Sequence, residues 1–117
     1  MVGELFEVSL WFNSKTKVMC NRLENSSRNS GVGINVGKLN LKYFNPKKEY
    51  VKLQFDNGST GHAKVKKKSW QKCPHLIQKC IGSWARKNGI WRKRLTQKRV
   101  PFNMKVIEDF EIYYVYK

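Results

Sequence analysis

Side chains that can form two hydrogen bonds with the edge of one nucleic-acid base occur in two clusters of the sequence. Arginine matches guanine in this way, and asparagine matches adenine. The first cluster lies in the polar segment from Asn21 to Gly31, and the second lies where a predicted helix ends. We therefore take eight residues as candidates for reading bases in a major groove: Arg22, Asn25, Arg28, Asn29, Arg86, Asn88, Arg92 and Arg94.

Most of the other basic side chains are lysines, which act as compact positive charges. Contacts with phosphate supply affinity without carrying sequence information. A lysine-rich predicted hairpin and the basic segment after the predicted helix are suited to this role. The candidate phosphate-binding residues are Lys52, Lys64, Lys66, Lys67, Lys68, Lys87, Lys93, Lys98 and Arg99.

The charge of the chain is high and unevenly distributed. The 117 residues include 24 Lys and Arg against 8 Asp and Glu, which gives a net charge of +16. From Asn57 to Ile107 there is no acidic residue, whereas 14 of these 51 residues are Lys or Arg. A surface that only has to be soluble mixes both signs. The segregation therefore indicates a one-sided positive potential and a polyanionic partner.

Residues that would support catalysis or bind a metal are sparse. The Asp…Glu-x-Lys arrangement of Mg²⁺-dependent nucleases is absent, since Glu49 is followed by a lysine one position too late. Cys73, His75 and Cys80 have a spacing that matches no paired-ligand zinc pattern, although Cys20 or His62 would complete a set of four. We therefore predict no enzyme activity, no metal and no cofactor. A small nuclease with an unrecognised site stays as a lesser alternative.

Localisation follows from the cysteines and the apolar segments. Three cysteines are an odd number, which argues against the disulfide framework of a secreted domain. The longest apolar run, Ile112 to Tyr116, is far too short to cross a bilayer, and residues 1–12 carry no basic signal segment. These features predict a cytoplasmic protein.

The hydrophobic pattern predicts a mainly β (α+β) fold and a single domain over residues 1–117. Eight segments are strand candidates, at 6–12, 16–21, 33–36, 39–44, 50–55, 61–66, 102–106 and 110–116, and the fold is expected to have about seven strands. One main helix is predicted at 74–87, because Ile77, Cys80, Ile81 and Trp84 form an apolar stripe. Trp84 is expected to lie in the core rather than to stack on a base.

The clearest hairpin joins the predicted strands 50–55 and 61–66. A three-residue loop at 57–59 would place Leu53 opposite Ala63 and keep the apolar side chains on one face. The same register sets Lys52 opposite Lys64 on the outer face. Two like charges in this position repel each other, so this face is expected to meet phosphate.

Exposed aromatic residues on a sheet face would instead indicate binding of single-stranded RNA. The sequence leaves that alternative open, as an RNA-binding barrel module of PUA-like type. The eligible aromatic residues are Trp11, Trp70, Trp91, Tyr113 and Tyr43.

The order of elements resembles the B3-like DNA-binding pseudobarrel. This order is a strand, a long polar loop, a meander of strands, a helix that ends in Trp84-Ala85-Arg86-Lys87-Asn88-Gly89, a basic segment, and Val100-Pro101-Phe102 leading into the last strands. The fold occurs in plant B3 transcription factors and in the effector domains of restriction enzymes such as EcoRII and BfiI. The chain also looks like the N-terminal specificity domain of LlaJI-type, McrBC-related restriction systems.

The resemblance implies a function in sequence-specific recognition of double-stranded DNA. In that family an N-arm and a C-arm grip the major groove, and by order along the chain 21–31 would be the N-arm and 86–94 the C-arm. It also implies that the chain is the N-terminal part of a longer protein, and that its partners are motor and nuclease subunits of a restriction complex. The chain lacks the Gly-Asp signature strand of the plant members, so the restriction-enzyme branch is favoured.

Overall fold

The computed structural model describes residues 1–12 and 32–117. Within them a 3₁₀ helix spans Lys38–Tyr43, helix α1 spans Lys79–Lys87 and helix α2 spans Ile90–Thr96. No helix among the described residues is long and apolar enough to cross a membrane. The seven strands are β1 (Leu5–Phe12), β2 (Val32–Asn35), β3 (Tyr50–Phe55), β4 (Thr60–Lys64), β5 (His75–Ile77), β6 (Pro101–Glu108) and β7 (Ile112–Tyr116).

The strands form one nearly closed, barrel-like sheet in the order β4-β3-β7-β6-β1-β2-β5. Strands β3 and β7 are parallel, and every other pair is antiparallel. The prediction of a mainly β fold with about seven strands is confirmed. One predicted strand, 16–21, lies outside the described residues.

The strand directions give the barrel two distinct ends. At the helix end, α1 and α2 connect β5 to β6, the hairpin 56–59 connects β3 to β4, and Phe12 pairs with Val32. At the loop end lie the 3₁₀ helix, the loop 65–74 between β4 and β5, and the turn 109–111 between β6 and β7. Each described candidate side chain therefore lies at one end of the barrel or on the outer face between the two ends.

The core forms because alternate residues of each strand point into the barrel. Trp84 of α1 is fully buried there, 5.6 Å from Phe55 and 5.0 Å from Phe102 between ring centroids. Its indole Nε1 donates a hydrogen bond to Oδ1 of Asp56 at 2.6 Å. The expectation that Trp84 belongs to the core is confirmed.

The prediction of one helix over 74–87 is wrong at its beginning. Residues 75–77 form β5, and the helix begins at Lys79, where the side chain of Gln78 accepts a hydrogen bond from the backbone N–H of Cys80. Strand β2 pairs with β5 and overrides the local helical pattern. This pairing needs Gly33, since a Cβ there would lie 2.5 Å from the carbonyl oxygen of Leu76.

Two further local predictions are corrected. The segment predicted as a strand at 39–44 is mostly the 3₁₀ helix, because Gly37, with φ of 81°, turns the chain at the end of β2. The basic segment after α1 contains a second helix, which Gly89, with φ of 72°, separates from the first. Both turns need a left-handed backbone, which glycine adopts at little cost.

The hairpin between β3 and β4 has a three-residue loop, but at 56–58 rather than 57–59. Gly58, with φ of 87°, closes the loop, and Val51 pairs with Ala63. The predicted register is therefore wrong by two residues, a shift that leaves the same side chains facing inward. Lys52 lies opposite His62, so the predicted Lys52–Lys64 pair does not form.

We expect Asp56→Ala to lower the free energy of unfolding by about 1.5–3 kcal/mol, because it leaves the buried indole N–H of Trp84 without an acceptor. Urea denaturation followed by circular dichroism measures this change. In a Trp84→Phe background the same substitution should cost markedly less, since no indole N–H remains. An equal cost in both backgrounds would contradict the role of this hydrogen bond.

Candidate nucleic-acid interface

Helices α1 and α2 bring the second predicted cluster together at the helix end. Arg86, Asn88, Arg92 and Arg94 lie within this short helix pair. The pair packs on the end of β1, where the ring of Trp91 lies 4.9 Å from that of Phe12. The first predicted cluster, Arg22, Asn25, Arg28 and Asn29, lies outside the described residues. Its segment joins Phe12 to Val32, so both predicted arms attach to the barrel at the helix end.

Arg86, Asn88 and Arg94 each make contacts within the fold. The guanidinium of Arg94 lies 5.3 Å from the ring of Phe12 and donates hydrogen bonds to the carbonyl oxygens of Leu10 and Gln97. The side chain of Asn88 donates to the carbonyl of Trp84, and the guanidinium of Arg86 lies 4.0 Å from the ring centre of Trp91. To read a base, these groups would have to leave their internal partners. The exposed basic residues of the helix pair are Lys79, Lys87, Arg92 and Lys93.

The predicted phosphate-binding lysines of the loop 65–74 lie at the opposite, loop end. Lys66 and Lys68 are exposed, as is Lys72 of the same loop. Lys67 is half-buried; its Nζ donates a hydrogen bond to the carbonyl oxygen of His75, and burial lowers its pKa. The exposed lysines of this loop therefore form a second basic cluster, separate from the helix pair.

The other phosphate candidates occupy the sides of the barrel. Lys52 and Lys64 point outward from β3 and β4, as the alternation predicts. Lys98 and Arg99 precede β6, where Arg99 forms an ion pair with Glu7 at 2.8 Å. The sequence treated these residues as one group, whereas the fold distributes them around the barrel.

Between the two basic clusters lies a surface that we call the β2–β5 face, made of the outward residues Trp11, Gly33, Asn35, His75 and Ile77. The rings of Trp11 and His75 stack at 4.3 Å with an angle of 26° between their planes. Oδ1 of Asn35 accepts a hydrogen bond from the backbone of Gly37, which leaves its Nδ2 as a donor. Burial, and then the charge of Lys67, lowers the pKa of His75, which favours the neutral imidazole.

Asn35 and His75 are not among the residues that the sequence predicts to bind nucleic acid. His75 was weighed there among the residues that would support catalysis or bind a metal. The alternation of β1 and β2 could have indicated that Trp11 and Asn35 point outward.

The residues that form the β2–β5 face include no carboxylate. Strands β2, β4 and β5 and both α-helices contain no acidic residue. Several of the described carboxylates are also neutralised by ion pairs: Glu7 with Arg99, Glu111 with Lys48, and Asp109 with the N-terminal amine. The one-sided potential that the sequence indicates stays a prediction, because the basic residues are distributed around the barrel.

A cavity of about 450 Å³ lies beside this face, at the start of β1 and near the 3₁₀ helix. Its polar groups are largely engaged with the protein itself. Nδ2 of Asn40 donates to the carbonyl oxygens of Glu7 and Val36, and Glu7 is paired with Arg99. In the described part of the chain, no three His, Cys, Asp or Glu residues are placed to hold a metal ion.

Aromatic residues that could have stacked on single-stranded RNA are mostly in the core. Of the five that the sequence made eligible, Trp11 alone is half-exposed. The hydroxyl of Tyr113 donates to the carbonyl of Tyr43, and burial strongly raises its pKa. The buried members are Trp70, Trp91, Tyr113 and Tyr43.

Comparisons with known proteins add no relative to this geometry. No protein-family model matches the chain, and neither a curated protein nor a solved structure is significantly similar to it.

We expect Arg94→Ala to lower the free energy of unfolding of the DNA-free protein by about 1–2 kcal/mol, because two hydrogen bonds and the contact with Phe12 are lost. The matched control is Lys93→Ala, an exposed position of the same helix, which should change stability by less than about 0.5 kcal/mol. If Arg94→Ala is as stable as the parent, its guanidinium is not held by the fold and is free to contact a base.

His75 should make the stability of the protein depend on pH. Its pKa is lower in the folded protein than in the unfolded chain, so its stabilising contribution is complete above about pH 6.5 and is lost as the pH falls. Between about pH 7.5 and 5.5, the parent should therefore lose more unfolding free energy than His75→Gln. Parallel pH profiles for parent and His75→Gln would contradict the assignment.

Proposed function

We propose that this chain binds double-stranded DNA in a sequence-specific manner through the β2–β5 face and the basic clusters at its two ends. The observation that carries the proposal is this acid-free face, bounded by the helix pair on one side and by the loop 65–74 on the other. Clustered positive charge matches a phosphate backbone, and the face between the clusters offers side chains that can form hydrogen bonds with base edges.

The dimensions of the face support a groove-binding role. Strand β2 has four residues, which corresponds to about 13 Å at the usual rise of a strand. The major groove of B-form DNA is about 12 Å wide. Basic clusters at the two ends of β2 are therefore spaced to contact the phosphates on both sides of one major groove.

In this arrangement the residues divide into two roles. The exposed lysines of the loop 65–74, with Lys87 and Lys93 of the helix pair, contact phosphates. Exposed Arg92, with Asn35 and His75 on the face, reads base edges, and the arm at 21–31 is a further candidate from the sequence alone.

The B3-like resemblance extends the proposal to a biological setting. A domain of this kind serves as the target-recognition part of a restriction system and acts in the cytoplasm with motor and nuclease subunits. Under this proposal the chain itself is noncatalytic, and cleavage belongs to its partners.

We expect the double variant Lys66→Gln/Lys68→Gln to weaken binding to all duplexes alike and to reduce the slope of log K against log salt by about two. Arg92→Ala should instead weaken binding to the preferred sequence by about 1–3 kcal/mol and leave random duplexes nearly unaffected. A selection from random duplexes identifies the preferred sequence, and fluorescence anisotropy at several salt concentrations measures both effects.

The matched control is Lys105→Gln, which removes a lysine on the opposite side of the barrel and should leave the affinity for duplexes nearly unchanged. A parent protein that prefers structured RNA to every duplex would overturn the proposal. Mg²⁺-dependent cleavage of DNA by the purified chain would overturn its noncatalytic part.

A further inference from the structure

A second outward surface lies on the other side of the barrel, on β6, β7 and β3. In the strand order, β7 is three positions from β2, so this surface faces away from the β2–β5 face. The outward residues of its central strand are Ile112, Tyr114 and Tyr116, since Tyr113 and Val115 point into the core. We call this surface the tyrosine face; its other members are Lys52, Gln54, Asn103 and Lys105.

Two tyrosine rings form the centre of this face. Tyr114 and Tyr116 are half-exposed and stack on each other, with ring centroids 5.7 Å apart and planes at 25°. Neither residue is among the aromatic residues that the sequence made eligible for stacking on bases. The neighbouring Tyr113 is among them, but its side chain points into the core.

Basic and amide side chains flank the two rings. Tyr114 pairs with Lys105 of β6 on one side and with Gln54 of β3 on the other. Tyr116 pairs with Asn103, and Lys52 pairs with Ile112 one row closer to the loop end. Neighbouring strands are about 4.8 Å apart, so these side chains can reach a ligand that lies on the rings.

Carboxylates accompany the two outer rows of this face. Glu7 lies in the row of Asn103 and Tyr116 and is paired with Arg99. Exposed Glu108 pairs with Ile112 in the row of Lys52, and Glu111 of the adjoining turn is bound to Lys48. A polyanion on the tyrosine face would therefore lie toward the helix end, over the two rings and Lys105.

Aromatic rings flanked by lysines on a sheet match unpaired bases better than duplex DNA. The bases of a duplex are already stacked on each other and offer no open ring face to a flat sheet. An unpaired base can stack on an aromatic side chain while a nearby lysine contacts its phosphate, and this mode tolerates any sequence.

We propose that the tyrosine face is a second nucleic-acid site, which binds single-stranded DNA. Bases stack on Tyr114 and Tyr116, and Lys105 contacts a phosphate. This site is separate from the β2–β5 face and does not depend on the binding of duplex DNA there.

The test measures binding of labelled oligothymidine of about 12 nucleotides, a length within the usual range for one such site, by fluorescence anisotropy. Tyr114→Ala and Tyr116→Ala should each weaken binding by about 5- to 150-fold, the loss expected for one stacked base. The Tyr→Phe variants should retain the affinity of the parent. Affinity for the preferred duplex should stay unchanged in all four variants, which separates this site from the β2–β5 face.

A matched control completes the design. Lys66→Gln/Lys68→Gln should weaken duplex binding but change oligothymidine binding by no more than about twofold, since these lysines lie on the other side. Photocrosslinking of the parent protein to a bromodeoxyuridine oligonucleotide should label Tyr114 or Tyr116, and it requires no variant to fold.

Three results would overturn the proposal. These are a parent that does not bind oligothymidine, alanine variants that are folded and bind it like the parent, and crosslinks confined to other residues. Binding to oligouridine that is about tenfold tighter than to oligothymidine would overturn the assignment to DNA.

Discussion

Burial of Trp84 is the packing constraint on which the helix end of the barrel depends. Its indole comes from α1, packs between Phe55 of β3 and Phe102 of β6, and donates its N–H to Asp56 in the hairpin loop. One side chain thus connects the helix pair to two strands that are far apart in the sequence. The start of α1 is fitted equally closely, because a Cβ on Gly61 would lie 2.6 Å from Sγ of Cys80.

The same packing leaves the basic side chains, which repel one another, on the surface of the barrel. The described basic residues are mostly outside the core, in the helix pair, in the loop 65–74 and on outward strand positions. The turn 109–111 and its neighbours collect three carboxylates at the loop end, next to β6 and β7. The loop 65–74 lies at the same end and carries exposed lysines, so the carboxylates and the lysines there occupy separate loops.

Much of the fold could be predicted because alternation in a strand is a local property. Val51, Leu53 and Phe55 face inward as the pattern indicates, and Ile81 and Trp84 form the buried stripe of α1. Residues 75–77 could not be assigned locally, since Leu76 belongs to a strand only because β2 offers a partner. The hairpin register depended on one glycine, Gly58, whose left-handed backbone closes the loop one residue earlier than expected.

The sequence by itself determined the mainly β class, the strong positive charge and its acid-free stretch, because composition and alternation do not depend on distant contacts. Tertiary structure decided which of the candidate side chains form hydrogen bonds within the folded protein. Arg94 and Asn88 are held by backbone carbonyls, whereas Asn35 and His75 meet on neighbouring strands far apart in the sequence. It also decided that the basic residues form two clusters at opposite ends of β2, since only the strand directions fix which loops share an end of the barrel.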